Sequence, residues 1–160
     1  MEFTHINEQG YARMVDVSEK QDTERVAIAQ AVVRMQAETL QAIKNGAIKK
    51  GDVLAVAQVA GIMGAKQTSS LIPMCHPLML TGIDLKFELD EENSQIFIYG
   101  TVKTTGKTGV EMEAISAVTI AAVTIYDMAK AVDRWMEIGE IKLLEKLGGK
   151  SGHVIRPESK

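Results

Sequence analysis

The sequence has little cysteine and few aromatic residues, and both shortages narrow the class of protein. Cys75 is the single cysteine of the 160-residue chain, so no disulfide can form within it. A chain without disulfides fits a reducing compartment, and we expect a cytoplasmic protein. Aromatic residues make up only 4% of the chain, whereas there are nine methionines. The hydrophobic core must therefore be built from aliphatic and methionine side chains.

The sequence also lacks an excess of basic charge and a long apolar run. Its formal net charge of −3 does not favour a nucleic-acid-binding protein. Basic residues cluster only locally, at 49–50, 103–107 and 142–150, which suits a small anionic ligand. No apolar run approaches the roughly 20 residues that span a bilayer, and the first residues lack the basic-then-apolar pattern of a signal peptide. We therefore expect neither a nucleic-acid partner nor a membrane partner.

The hydrophobic pattern predicts one domain over residues 1–160, with an ordered core at about 11–152 and loose ends, including the tail from His153. The predicted strands are 25–35, 83–89, 95–103 and 138–147, and the predicted helices are 37–44, 52–66 and 109–134. For 25–35 a helix remains an alternative. The order of these elements predicts an α+β, ferredoxin-like sandwich, a mostly antiparallel sheet with helices packed on one face.

The helix predicted at 109–134 has ionisable groups at both ends of an uncharged stretch, 114–126. Because this stretch is apolar on nearly every side, we expect a sheet on one face and another element, or another subunit, on the other. Asp127 and Lys130 share a helix face, three residues apart. They form either an ordinary surface ion pair or a partly desolvated acid/base pair, in which the lysine could approach neutrality.

The segment before this helix, GTVKTTGKT at 100–108, resembles a phosphate-binding loop but departs from it. Gly100 and Gly106 are separated by five residues, 101 to 105, whereas the Walker pattern requires four. An anion site at free amides of a loop remains open. Thr108 and Glu111 fit a helix capping box, which gives Glu111 a structural role. Glu113 has no such explanation.

Two prolines bracket a third group of candidates, Met74, Cys75 and His76, and restrict the backbone on either side of it. With only His5 and His153 elsewhere, the sequence does not favour a zinc site, and we predict no metal. His76 is equally consistent with a ligand or proton carrier and with a structural role. Cys75 could act as a nucleophile, but a free cysteine is more commonly a buried, unreactive residue. Lys50 lies in a turn before a helix, and 146–152 is a basic, glycine-containing loop.

Several long motifs, taken together and in order, resemble the cyclic pyranopterin monophosphate synthase family, molybdenum cofactor biosynthesis protein C. The motifs are MVDVSEK at 14–20, KGDVLAVAQVAGIMGAK at 50–66, LIPMCHPLMLTGIDL at 71–85, KTTGKTGVEMEA at 103–114, TIYDMAKAVD at 124–133 and GGKSG at 148–152. The resemblance covers about 11–152 and implies a ferredoxin-like hexamer, a trimer of dimers, with the active site at a subunit interface.

The resemblance implies a lyase that follows a radical GTP 3′,8-cyclase. Its substrate would be (8S)-3′,8-cyclo-7,8-dihydro-GTP, its products cyclic pyranopterin monophosphate and pyrophosphate, and it would need no cofactor. The catalytic positions of the family fall on Asp127, Lys130 and Lys50. Its substrate-binding positions fall on Met74, Cys75, His76, Glu111, Met112 and Glu113, and also on Lys146 and Asp16. The alternatives are a ferredoxin-like nucleotide-binding module without catalysis and, third, a purely structural scaffold.

Overall fold

The computed structural model describes residues 4–157. Of the ends that were expected to be loose, residues 1–3 and 158–160 lie outside this range. The strands are β1 Thr23–Arg34, β2 Leu80–Asp90, β3 Gln95–Gly106, β4 Glu137–Leu147 and β5 Val154–Ile155, and the helices are α1 Ala37–Lys44, α2 Val53–Lys66, α3 Thr68–Leu71 and α4 Glu111–Ala129. The predicted order of the longer elements and the α+β, ferredoxin-like arrangement are confirmed.

One antiparallel sheet, in the order β2-β3-β1-β4-β5, forms the base of the fold. The ambiguous run near residue 25 is the strand β1, and it occupies the middle of the sheet. Its side chains alternate, and Ala27, Ala29, Ala31 and Val33 face the core with no exposed surface. Small alanine side chains on the central strand leave room for a helix to pack closely on that face.

Helices α2 and α4 form the second layer, on one face of the sheet. Glycines bring them together: a Cβ atom on Gly61 would lie 2.9 Å from the carbonyl oxygen of Ala117. Helix α2 of the same chain covers a second face of α4, besides the one that packs on the sheet. The sequence left open whether this cover would be an element of the chain or another subunit. By length and composition α4 could cross a membrane, although no apolar run long enough to do so was expected from the sequence. Half of its apolar stretch is buried inside this fold.

The ends of α4 differ from the prediction of 109–134, since the helix spans Glu111–Ala129. Its N-cap is Val110, with φ −111°, and no side chain caps the first turn. The predicted capping box at Thr108 is therefore wrong. Most of the predicted glycine- and threonine-rich loop is also wrong, because 100–106 belongs to β3. Only 107–110 connects strand and helix, so any anion-binding backbone is limited to that short turn.

The prediction missed two short elements, α3 and β5. The tail from His153 was expected to fray, but Val154 pairs with Lys146 and Ile155 pairs with Glu145. His153 also contacts Glu145, with 2.6 Å between Nε2 and Oε1. At the other end of the chain, Lys107 Nζ donates to the carbonyl oxygen of Ser18 at 2.7 Å. The segment before β1 is thus fastened next to the start of α4, where several candidate residues lie.

Candidate active site

Three of the candidate residues meet at the C-terminal end of α4, and we call them the Asp127 cluster: Lys50, Asp127 and Lys130. Lys130 Nζ donates to Asp127 Oδ1 at 2.6 Å, and Lys50 Nζ donates to Asp127 Oδ2 at 2.9 Å. Lys50 also donates to the backbone carbonyl of Asp127 at 2.8 Å. That carbonyl is among the last of the helix, which have no partner within it, so the ammonium group also stabilises the negative helix end.

The three charged groups of the Asp127 cluster are paired with one another, since both lysines form ion pairs with the carboxylate of Asp127. Hydrogen bonds from Lys130 and Lys50, with their charges, lower the pKa of Asp127 to about 2. The same carboxylate raises the pKa of Lys130. Side-chain exposures are 45% for Lys50, 54% for Asp127 and 49% for Lys130. The idea of a desolvated, nearly neutral Lys130 is therefore wrong for a single chain, in which its side chain is half exposed and its pKa is raised.

A second group of candidates lines a cavity of about 390 Å³ at the N-terminal end of α4, which we call the His76 cavity. Met74, Cys75, His76, Glu111, Met112 and Glu113 all line it. The nitrogen Nε2 of His76 lies 2.8 Å from the carbonyl oxygen of Val15. A carbonyl oxygen only accepts, so Nε2 carries the hydrogen, and in the neutral ring Nδ1 is left as an acceptor. The segment before β1 thus orients the imidazole.

Two glutamates two residues apart differ sharply in this cavity. Glu111 forms an ion pair with Lys146 of β4. Glu113 is only 4% exposed, and burial raises the pKa of its carboxyl group, with a smaller contribution from the charge of Glu111. Burial and the charge of Glu113 likewise raise the pKa of the Cys75 thiol, which does not favour a thiolate nucleophile there.

A third region, the basic cavity, has a volume of about 1150 Å³ and adjoins the His76 cavity. Its cationic residues are Lys20, Arg25, Lys107, Lys146 and Lys150, and its acidic residues are Asp16 and Glu19. Lys20, Thr108 and Gly109 line both cavities. The backbone amide of Ser18 donates to Asp16 at 2.8 Å, and the hydrogen bonds from Ser18 lower the pKa of Asp16.

Most of the basic cavity could not be predicted from the sequence. Lys146 and Asp16 were candidate residues, but Lys20, Arg25, Lys107 and Lys150 were not. Arg25 is held in place because its guanidinium donates to the carbonyl oxygens of Gly106, at 2.9 Å, and Lys107, at 3.1 Å. The basic clusters at 103–107 and 142–150 were a partial signal. Nothing in the sequence alone indicated that they converge with the segment before β1.

The Asp127 cluster and the His76 cavity lie at opposite ends of α4. Glu111 and Asp127 are separated by 127 − 111 = 16 residues of continuous helix. At a rise of 1.5 Å per residue, this separation is about 24 Å. One chain therefore brings Lys50 to Asp127 and Lys130, and His76 to Glu111 and Glu113, but does not bring the two sets together. Within residues 4–157, no three His, Cys, Asp or Glu side chains cluster as metal ligands would.

Comparison with known proteins identifies the family to which the chain belongs. The sequence profile of the MoaC family matches residues 14–149. The curated cyclic pyranopterin monophosphate synthase of Syntrophomonas wolfei is 74% identical over 156 residues, which cover 98% of this chain and 99% of that protein. The proteins of the same name from Thermoanaerobacter sp. and Clostridium acetobutylicum are 65% and 61% identical, over 95% and 96% of this chain and 96% of each of those proteins. The chain belongs to the MoaC family.

Proposed function

We propose that the chain is a cyclic pyranopterin monophosphate synthase, a lyase of molybdenum cofactor biosynthesis. It would convert (8S)-3′,8-cyclo-7,8-dihydro-GTP to cyclic pyranopterin monophosphate and release pyrophosphate. Near-full-length identity to relatives of that name supports the activity. The observation that carries the assignment to residues is the meeting of Lys50 and Lys130 on the one carboxylate of Asp127, although Lys50 and Asp127 are 77 positions apart in the chain.

The proposed reaction opens and recloses rings and therefore needs several proton transfers and a stabilised leaving group. We assign the proton transfers to Asp127 and the two lysines, since positioned acids and bases typically contribute factors of about 10²–10⁴ to a rate. Closing the cyclic phosphate expels pyrophosphate, whose developing charge requires fixed cations. Lys50 and Lys130 are such cations, and Asp127 fixes the position of both.

The two cavities support complementary parts of substrate binding. The basic cavity offers five cationic side chains, which suits the triphosphate. The adjoining His76 cavity has methionine side chains in its wall, from Met74 and Met112, and polar groups from His76 and the two glutamates. It suits the ring system derived from guanine. Because the cavities share Lys20, Thr108 and Gly109, one extended nucleotide could occupy both.

The separation of about 24 Å between the ends of α4 supports a site made by two chains. The chain is one domain in this proposal, and its Asp127 cluster completes the His76 cavity of a partner subunit. A dimer would then contain two such sites, and three dimers would form the hexamer. The same proposal places the enzyme in the cytoplasm, after a radical GTP 3′,8-cyclase.

Turnover of the cyclised GTP by single variants tests this function. We expect Lys50→Ala and Lys130→Ala to lose turnover by factors of about 10²–10⁴ while keeping the wild-type circular dichroism and oligomer mass. Lys49→Ala is the matched control, because Lys49 is an exposed lysine in the same turn. Wild-type turnover in both Lys50 and Lys130 variants would refute the assignment. Binding of the intermediate without product would favour the nucleotide-binding module instead.

A further inference from the structure

Glu113 is a buried carboxyl group with no cationic partner among residues 4–157. It is the third residue of α4, lines the His76 cavity and is 4% exposed. Over residues 4–157, no lysine, arginine or histidine forms an ion pair with it. Glu111, two residues earlier in α4, lines the same cavity and has Lys146 as a partner. Of these two carboxyl groups at one cavity, only that of Glu111 has a cationic partner among the described residues.

The surroundings of Glu113 favour its protonated form. A carboxylate that loses water and gains no cation is destabilised, so its neutral acid is favoured. The other titratable groups around the cavity are His5, Lys20, Cys75, His76 and Glu111. Among them Glu111 acts in the same direction as burial, since its negative charge also raises the pKa of Glu113, and the backbone amide of Glu113 only partly opposes this. Neighbouring acids with divergent environments are a typical arrangement for acid/base catalysis.

We propose that Glu113 carries its proton into the reaction and acts as a general acid on the ring system in the His76 cavity. This rests on the proposed function. The O–H bond of Glu113 breaks as a ring heteroatom, leaving its carbon, forms a new N–H or O–H bond. The electron pair of the broken carbon–heteroatom bond stays on that heteroatom, and the lone pair of a neighbouring ring heteroatom forms a double bond to the carbon, to which an N–H or O–H group later adds. Glu113 becomes a carboxylate and regains a proton from the N–H or O–H group that adds when the ring recloses, so no electron is gained or lost.

The free protein tests the protonation state without any substrate. The probe is a carboxyl ¹³C NMR titration of the whole chain, with Glu113→Gln to assign the Glu113 signal and Glu111→Gln as the matched neighbour. We expect the signal that vanishes in Glu113→Gln to keep its acid form to higher pH than the signal that vanishes in Glu111→Gln. A Glu113 signal that loses its proton together with the exposed carboxyl groups would overturn the proposal.

Turnover tests the acid role itself. A glutamine donates a hydrogen bond but delivers no proton, so Glu113→Gln should lose about 10²–10⁴-fold in kcat, with KM within a few-fold of wild type. Glu113→Asp, which still carries a proton, should recover part of that loss. A Glu113→Gln variant with wild-type kcat would overturn the acid role. If wild-type protein itself gave no product, the proposed function would fail and the acid role with it, although the NMR titration would still report the protonation state.

Discussion

Two inactive variants of this chain should restore activity to each other, because the candidate site is divided between the ends of α4. The perturbation is a mixture of Lys50→Ala chains, changed in the Asp127 cluster, and His76→Ala chains, changed in the His76 cavity. About 24 Å of helix separates the two sets within one chain, so each complete site in the proposed dimer would take one set from each subunit. A mixed dimer then has one unaltered site and one site that carries both changes.

The expected recovery of activity follows from this division of the site between two chains. With equal amounts and random exchange, about half of the dimers are mixed, and each has one working site of two, so the mixture should recover about a quarter of the wild-type rate. The assay is pyrophosphate release after the differently tagged chains are unfolded together and refolded. A mixture of Lys50→Ala and Lys130→Ala is the control, since both residues belong to the Asp127 cluster and every site would remain defective.

Either of two results would refute this reasoning. If the Lys50→Ala and His76→Ala mixture stays as inactive as its components while mixed dimers are present, each site lies within one chain. If the Lys50→Ala and Lys130→Ala mixture recovers activity, those two lysines act in different sites despite their shared carboxylate. Separation of the mixed species by their two tags shows that exchange has taken place, so a negative result remains informative.

Three further predictions concern stability and are checked by thermal and urea unfolding. Gly61→Ala should destabilise the fold by about 1–2 kcal/mol, because the new Cβ atom meets the fixed backbone of Ala117. Gly82→Ala is the control: its Cβ atom would make only ordinary van der Waals contacts, so its stability should stay within about 0.5 kcal/mol of wild type. Glu113→Gln should gain stability relative to wild type as pH rises above 4.5, since only the unfolded wild-type carboxyl group has then lost its proton; a difference that does not change with pH would contradict this. Asp133→Ala should cost about 1–3 kcal/mol, because this aspartate, 3% exposed, accepts from two backbone amides and a threonine hydroxyl.

Periodicity predicted most of the fold because the long elements bury one face each. The alternation at 83–89 and 95–103 lies within β2 and β3, and the sequence also favoured a strand for β1. The start of α4 could not be predicted in this way. Thr108 and Glu111 fit a capping box in sequence, but the carboxylate of Glu111 binds Lys146, 35 positions along the chain. A tertiary ion pair outweighed a local capping pattern, and no local pattern contains that information.

The candidate site was predictable only in part, and for the same reason. Spacing alone placed Asp127 beside Lys130, three residues apart on one helix. The approach of Lys50 to Asp127 depends on how α2 packs against α4, so only the family resemblance indicated it. Arg25 could not be found from composition or spacing at all, since its role depends on the register between β1 and β3, which pairs it with Thr104. Contacts of this kind become visible only once the sheet is assembled.

The arrangement of the Asp127 cluster limits how it can serve the proposed reaction. A carboxyl group with a pKa of about 2 is a weak base near neutral pH, and Lys130, with a raised pKa, is a protonated acid there. In the free chain the cluster is thus suited to hold anions, but its carboxylate is a weak base and the ammonium group of Lys130 is a weak acid. A bound triphosphate would compete with Asp127 for the two ammonium groups. As those hydrogen bonds are lost the pKa of Asp127 rises, so under the proposed function the substrate itself turns this carboxylate into a better base.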